Sequence, residues 1–257
     1  SIIGTSVGRL DTPEKVDGSA IFGMDVQYPG MKIAAIRHCP VFGGTVRSFN
    51  AASAESQPGV VAVMQVEENA IAVVADNTWL AQKVLDEMVI EWDYPDGELF
   101  SADKVVGDYA ALFDADDARV LTEDETFQSA WDSSNKIVEA VYKTPYLAHV
   151  CMEPMGCSAL YEESTTGNPE DARITVWSPS QSISQTASQA RKISKVKPEN
   201  VAVKATLMGG GFGRRADMDF VRQVSFIAKQ IPGTAIKLTW SREEDVQQDT
   251  YRPATVA

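Results

Sequence analysis

The sequence predicts an α+β chain, and three observations carry that prediction. Apolar runs with strand-like composition, such as VVAVMQV and AIKLTWS, are bounded by Gly, Pro and polar turns. Segments with helical spacing separate them: residues 78–88 place Leu80, Ala81, Val84, Leu85 and Met88 on one face, and 216–231 hold Phe220, Val224, Ile227 and Ile231 in register. Just before the second of these segments lies LMGGGFGRR, Leu207 to Arg215, where four glycines imply a sharp turn and close approach of another group.

Taken in order, residues 1–95 read as a first α+β unit. AIFGMDV, MKIAAIRHC and VVAVMQV are β-like, and NAASAESQPG offers an Asn cap, a small-residue helix and a Pro-Gly stop. AIAVVA is a buried strand, and VIEWD closes the unit as another. Residues 96–135 are acidic and read as a connector with one or two surface helices. The third part, 136–257, begins with strands in NKIVEAVYKTP and HVCMEPMGCSALYEE. It continues as β-α-β-α-β through RITVWSPS, SISQTASQARKIS, VAVKATLMGGG, ADMDFVRQVSFIAKQ and AIKLTWS, the order of an α/β unit with ligand loops at strand ends. Ser241 and Glu244 spell a capping box for one more helix or turn.

Composition narrows the function. With 23 Lys plus Arg against 36 Asp plus Glu, the formal charge of −13 argues against nucleic acid or an anionic membrane as main partner. Three cysteines give no disulfide framework and no CxxC pair. No apolar run approaches the roughly 18 residues of a membrane helix.

The glycine turn is the best candidate site. Consecutive N–H groups converging there, with a helix start behind them, make an anion cradle for a phosphate-bearing cofactor or an oxo group. GGGFG satisfies neither the GxxxxGK spacing of a P-loop nor the GxGxxG of a dinucleotide fold. Gln181, in WSPSQ at another strand end, carries both a donor and an acceptor for an oxo or hydroxyl ligand. His149, Cys151 and Glu153 would share one side of a strand, but a closed metal site normally wants four ligands, so a partly buried strand with His149 hydrogen-bonded is the expected reading. No metal ligand and no catalytic acid, base or nucleophile is identifiable.

TPYLAHVCMEPMGCSA, VWSPSQ, MGGGFGRR and SREEDVQQDTYRP, in this order, resemble the molybdenum-binding subunit of the xanthine oxidase and aldehyde oxidase family. The Arg-Arg after GGGFG is similar to the isoquinoline 1-oxidoreductase β-subunit branch, which includes membrane-associated aldehyde dehydrogenases. The segment from VGRLDTPEKVDG to RHCPVFGG resembles the α/β hammerhead domain of these proteins. The implied architecture is a hammerhead-like domain (1–95), the acidic connector (96–135) and the first, incomplete part of an α/β molybdopterin-binding domain (136–257).

The resemblance implies a molybdenum hydroxylase that holds molybdopterin cytosine dinucleotide and inserts a water-derived oxygen into an aldehyde or N-heterocycle. By motif position, Gln181 approaches the oxo ligand, Phe212 and Gly213 line the metal site, Gly210 and Gly211 form the backbone cradle, and Arg214 contacts pterin or phosphate. The family's base glutamate lies beyond Ala257, so the chain is expected to be a fragment, inactive alone. Implied partners are the remainder of the molybdenum subunit, an iron–sulfur subunit and a cytochrome c. The branch points to the bacterial periplasm or a membrane-associated location rather than the cytoplasm. Two competing classes are a non-redox phosphate- or nucleotide-binding module and a non-catalytic interaction domain.

Overall fold

The structure, a computed structural model, describes residues 2–97, 100–115 and 119–257. In chain order the elements begin with α1 (Thr12–Asp17), β1 (Lys32–His38), β2 (Thr45–Phe49), α2 (Ala51–Glu55), β3 (Val60–Val66), β4 (Ala70–Ala75), α3 (Thr78–Glu87) and β5 (Ile90–Asp93). Next come α4 (Ala102–Ala111), α5 (Phe127–Ser133), β6 (Lys143–Thr144), β7 (Gly156–Glu162), β8 (Arg173–Ser178), α6 (Ile183–Ser194) and β9 (Val201–Ala205). The last are α7 (Asp219–Gln230), β10 (Ala235–Thr239), α8 (Arg242–Gln247) and β11 (Thr255–Val256). The α+β expectation holds.

These elements form two compact units. The larger combines the first 95 residues with 149–249 around a seven-stranded mixed sheet of order β3-β4-β1-β10-β7-β8-β9. The expected division near residue 95 does not follow this sheet, because β1 pairs in parallel with β10 through Lys32–Ile236, Ile33–Lys237 and Ala34–Leu238. Pairing across some 200 residues leaves no local periodicity for sequence reading to detect. β8 and β9 are parallel neighbours joined by α6, as a β-α-β unit requires, whereas β10 lies beyond β7 instead of beside β9.

The side-chain period of two divides β4 between two cores. Ala70, Ala72 and Val74 join the cluster built on Phe220, Val221, Val224, Ile227 and Ala228 of α7 with Ile236 and Leu238 of β10. Ile71, Val73 and Ala75 join the opposite cluster, covered by Ala81, Val84 and Leu85 of α3. Thus both helices named from spacing bury the faces that the spacing marked. The N-terminus of α3 is capped by Asn77, whose Oδ1 accepts from the Leu80 N–H at 2.9 Å. Asn77→Ala is expected to cost about 1 kcal/mol, read as a lower urea midpoint with unchanged slope. Asn50, the other expected Asn cap, precedes α2 but makes no side-chain cap bond.

The smaller unit holds 96–148 and 250–257, with α4 and α5 as the surface helices expected of the acidic connector; residues 98–99 and 116–118 of that connector lie outside the described ones. Among its described residues Ala254 alone is buried. The strand expected over 135–145 shortens to β6, paired antiparallel with β11.

Other expectations change inside the larger unit. AIFGMDV is a 3₁₀ turn at Gly23–Asp25 plus an isolated bridge from Phe22 to Leu207, and β2 went unpredicted. The strand expected from His149 starts only at Gly156, since Val150 takes a positive φ of 45° and Glu153 is drawn aside by polar partners. That irregular stretch, 149–155, lies against the glycine turn.

Candidate functional site

β9 ends at Ala205, and the next ten residues make the turn that leads through a short 3₁₀ segment, Arg214–Ala216, into α7. Its glycines are required at specific points. Gly210 and Gly213 have φ of 106° and 100°, and even Phe212 sits at 52°, a conformation that L side chains rarely adopt. A Cβ on Gly209 would lie 2.4 Å from the Glu153 Cβ, and one on Gly211 would lie 2.9 Å from the Gln181 amide. The turn is therefore closed by neighbours on one side, while the Phe212 ring stands 64% exposed on the other.

Gln181 meets the turn directly. The Gly213 N–H donates to Gln181 Oε1 at 3.0 Å, and the Gln181 N–H donates to the Arg215 carbonyl at 3.1 Å. The two strand ends, β8 and β9, are parallel neighbours, which is why these sequence-distant motifs touch. The structure thus brings Gln181, Gly210, Gly211, Phe212 and Gly213 into one patch. A separate cleft of about 1290 Å³, lined by Ile21, Asp25, Trp177, Thr206 and Leu207 among others, opens beside the start of the turn and does not include these residues.

The arginine pair does not face the open side of the turn. Arg215 is fully buried, its Nε donating to the Gly210 carbonyl at 2.8 Å and its Nη2 to the Glu153 carbonyl and carboxylate at 2.7 and 2.9 Å. Burial pulls its guanidinium below the ordinary arginine range, against the opposing pull of Glu153. Arg214 places Nη1 and Nη2 at 3.2 and 2.6 Å from the Asp219 carboxylate and stacks over Trp240 at 5.4 Å. Its Nε is 3.0 Å from Asp249 Oδ1, close enough for charge attraction although the N–H is not aimed at that oxygen. Burial would lower its pKa, but Asp219, Asp217 and Asp249 outweigh burial and raise it. The expected contact from Arg214 to a pterin or phosphate is therefore not prepared in this geometry; its charge is held by the half-buried Asp219 and the buried Asp249.

Glu153, which the sequence placed only on a strand face beside His149 and Cys151, is the residue whose role sequence reasoning missed. Its Oε2 accepts from the Gly209 N–H and Arg215, its Oε1 accepts from the Met24 N–H at 2.9 Å, and its own N–H donates to the Gly209 carbonyl. It ties the first segment, the 149–155 stretch and the glycine turn at one carboxylate. The available signal was a Glu-Pro step inside the otherwise apolar CMEPMGC. His149, by contrast, is held by Asp249, which accepts from its backbone N–H and lies 3.0 Å from its Nδ1.

The fourth motif, which opens SREED, braces the same stretch. Ser241 caps α8 by accepting from the Glu244 N–H at 3.2 Å, but the Glu244 carboxylate does not complete a capping box. It accepts instead from the backbone N–H of His38 at 3.0 Å and lies 2.8 Å from its Nδ1. The far ring nitrogen of His38 is 2.8 Å from Gln223 Nε2, and Gln223 Oε1 accepts from the Trp240 indole at 3.0 Å. Because an indole N–H can only donate, this order fixes His38 as the Nδ1–H tautomer. Arg242 reaches the Cys151 and Met152 carbonyls at 2.7 and 2.9 Å and pairs with Asp245, whose carboxyl is pushed up by burial and partly restored by that arginine.

Residues 112–257, more than half of the chain, match the molybdopterin cofactor-binding domain. The chain is 27% identical to the isoquinoline 1-oxidoreductase subunit beta of Brevundimonas diminuta, over 98% of this chain and 32% of that protein. It is 25% identical to a membrane-bound aldehyde dehydrogenase (pyrroloquinoline-quinone) of Gluconacetobacter polyoxogenes, over 96% and 32% respectively. Among solved structures it superposes on quinoline 2-oxidoreductase from Pseudomonas putida 86 with a TM-score of 0.67 at 20% identity, covering 95% of this chain and 35% of that one. The chain spans about a third of the length of the curated relatives it matches. A turn with Gly210 and Gly213 at positive φ, contacted by Gln181 from the neighbouring strand end, lies within the matched region, and the chain belongs to the molybdopterin cofactor-binding domain family.

Proposed function

We propose that the chain forms one wall of the molybdenum-cofactor site of a hydroxylase that oxidises an aldehyde or an N-heterocycle with water as oxygen source. The observation that carries this reading is the 3.0 Å hydrogen bond from Gly213 to Gln181, which joins the two strand-end motifs beside the exposed Phe212. The residues fit such a group: a turn shaped by positive φ at Gly210, Phe212 and Gly213 lets a ligand approach the peptide groups closely. In this reading Gly210 and Gly211 would hold the cofactor from the backbone, Phe212 and Gly213 would line the metal site, and the Gln181 amide hydrogens would face its oxo group. Molybdenum, held as molybdopterin cytosine dinucleotide, supplies the two-electron oxidation. Arg214 serves by stiffening the turn from behind, through Asp219 and Asp249. Both substrate classes are retained because the relatives' names divide between an aldehyde and an N-heterocycle.

No residue of this chain is assigned as catalytic base, so turnover requires the remainder of a molybdenum subunit, with an iron–sulfur subunit and a cytochrome c to carry electrons away. In the full-length protein, Gln181→Ala is expected to lower kcat for dye-linked oxidation about 100-fold while molybdenum content stays near that of the unmodified protein. Unchanged kcat would remove Gln181 from the site. Stoichiometric molybdenum and turnover in the 257-residue chain alone would overturn the proposed dependence on further chain.

A further inference from the structure

An oxyanion bound at the glycine turn needs positive charge or strong donors nearby. The two arginines beside it do not supply them, since both are buried and committed to Asp219, Asp249 and Glu153. His149 can. Its Nδ1 lies 3.0 Å from Asp249 Oδ1, so the buried carboxylate takes the Nδ1–H and fixes the ring. The other nitrogen, Nε2, is turned toward the turn: a methyl group built on Gly213 would lie 3.9 Å from it. The His149 side chain remains 11% exposed, and on the other flank of Gly213 stands Gln181.

We propose that His149 is an oxyanion-binding residue on the Gly213 side of the turn, with Asp249 as its positioning residue. This rests on the reading that the turn faces a phosphate- or oxo-bearing group. In the bound state the ring donates Nδ1–H to the Asp249 carboxylate and Nε2–H to the anionic oxygen, so the imidazole sits between the two. No covalent bond forms. Charged groups near the ring include Asp249, after α8, and Arg214 of the turn, whose Nε lies 3.0 Å from the same Asp249 Oδ1 and which is itself paired with Asp219 of α7. A phosphate of the cofactor and a metal oxo-anion offer the same chemistry.

The chain's two histidines make the test direct. Imidazole proton–carbon spectra of the whole chain are recorded during titration with inorganic pyrophosphate, with molybdate, and with sodium chloride at matched ionic strength. The His149 cross-peaks are expected to move saturably with an oxyanion and not with chloride, while those of His38, enclosed between Glu244 and Gln223, stay still. His149→Gln is expected to weaken binding by about tenfold in calorimetry. Response to pyrophosphate alone or to molybdate alone identifies the source of the oxyanion. Saturable binding that leaves the His149 peaks unmoved overturns the proposal while the turn keeps its assigned role. No oxyanion binding by the unmodified chain overturns the proposal and leaves the proposed function to the Gln181→Ala test.

Discussion

Glu153→Ala is expected to destabilise the chain by about 3–5 kcal/mol, the largest single effect anticipated for a polar residue here. The loss is not that of one salt bridge. Removing the carboxylate leaves the guanidinium of Arg215 charged and buried, with Nη1 already lacking a partner, and strips acceptors from the Gly209 and Met24 N–H groups. Urea denaturation measures the cost. Combining Glu153→Ala with Arg215→Met should recover part of it, because the orphaned charge goes too. Full recovery is not expected, as Arg215 also satisfies the carbonyls of Gly210 and Glu153. A double variant as unstable as the single one would show that the hydrogen bonds, rather than the charge pair, dominate.

Gly209→Ala should cost about 1–3 kcal/mol and loosen the turn. Its new Cβ would overlap that of Glu153 at 2.4 Å, where two stems meet and no flexible chain end can swing away. Gly211→Ala presses at 2.9 Å on the Gln181 amide, a side chain that can rotate, so its stability cost is expected to be smaller. The pair separates two properties. Gly209→Ala should lower the thermal midpoint most, and Gly211→Ala should break the Gly213–Gln181 hydrogen bond with the milder loss of stability, seen as faster exchange of the Gly213 amide.

Much of this was legible in the residues. Spacing named α3 and α7 with their buried faces, and four glycines between a strand and a helix marked the turn. Gln181 was found because parallel strand ends lie side by side in a β-α-β unit. What the sequence hid was long-range. His149, Cys151 and Glu153 looked like a strand's common face, but a carboxylate with three partners outweighs alternation, and Val150 turns the backbone with positive φ instead. The resemblance gave Arg214 to a ligand, while its partner Asp249 lies 35 residues away and the Glu153 that holds Arg215 lies 62 residues away, beyond any local pattern. Likewise Glu244 met its local rule only by half, since His38 lies 206 residues away in the chain.

Strand β4 carries one more implication. Its inner neighbours on one side accept the row Ala70, Ala72 and Val74, and on the other the bulkier row Ile71, Val73 and Ala75. A slip by one residue against β1 or β3 would exchange the rows, forcing isoleucine into space cut for alanine and leaving a void opposite. Misalignment is thus penalised from both faces at once, and the strand acts as the gauge against which the pairing of its two neighbours is set.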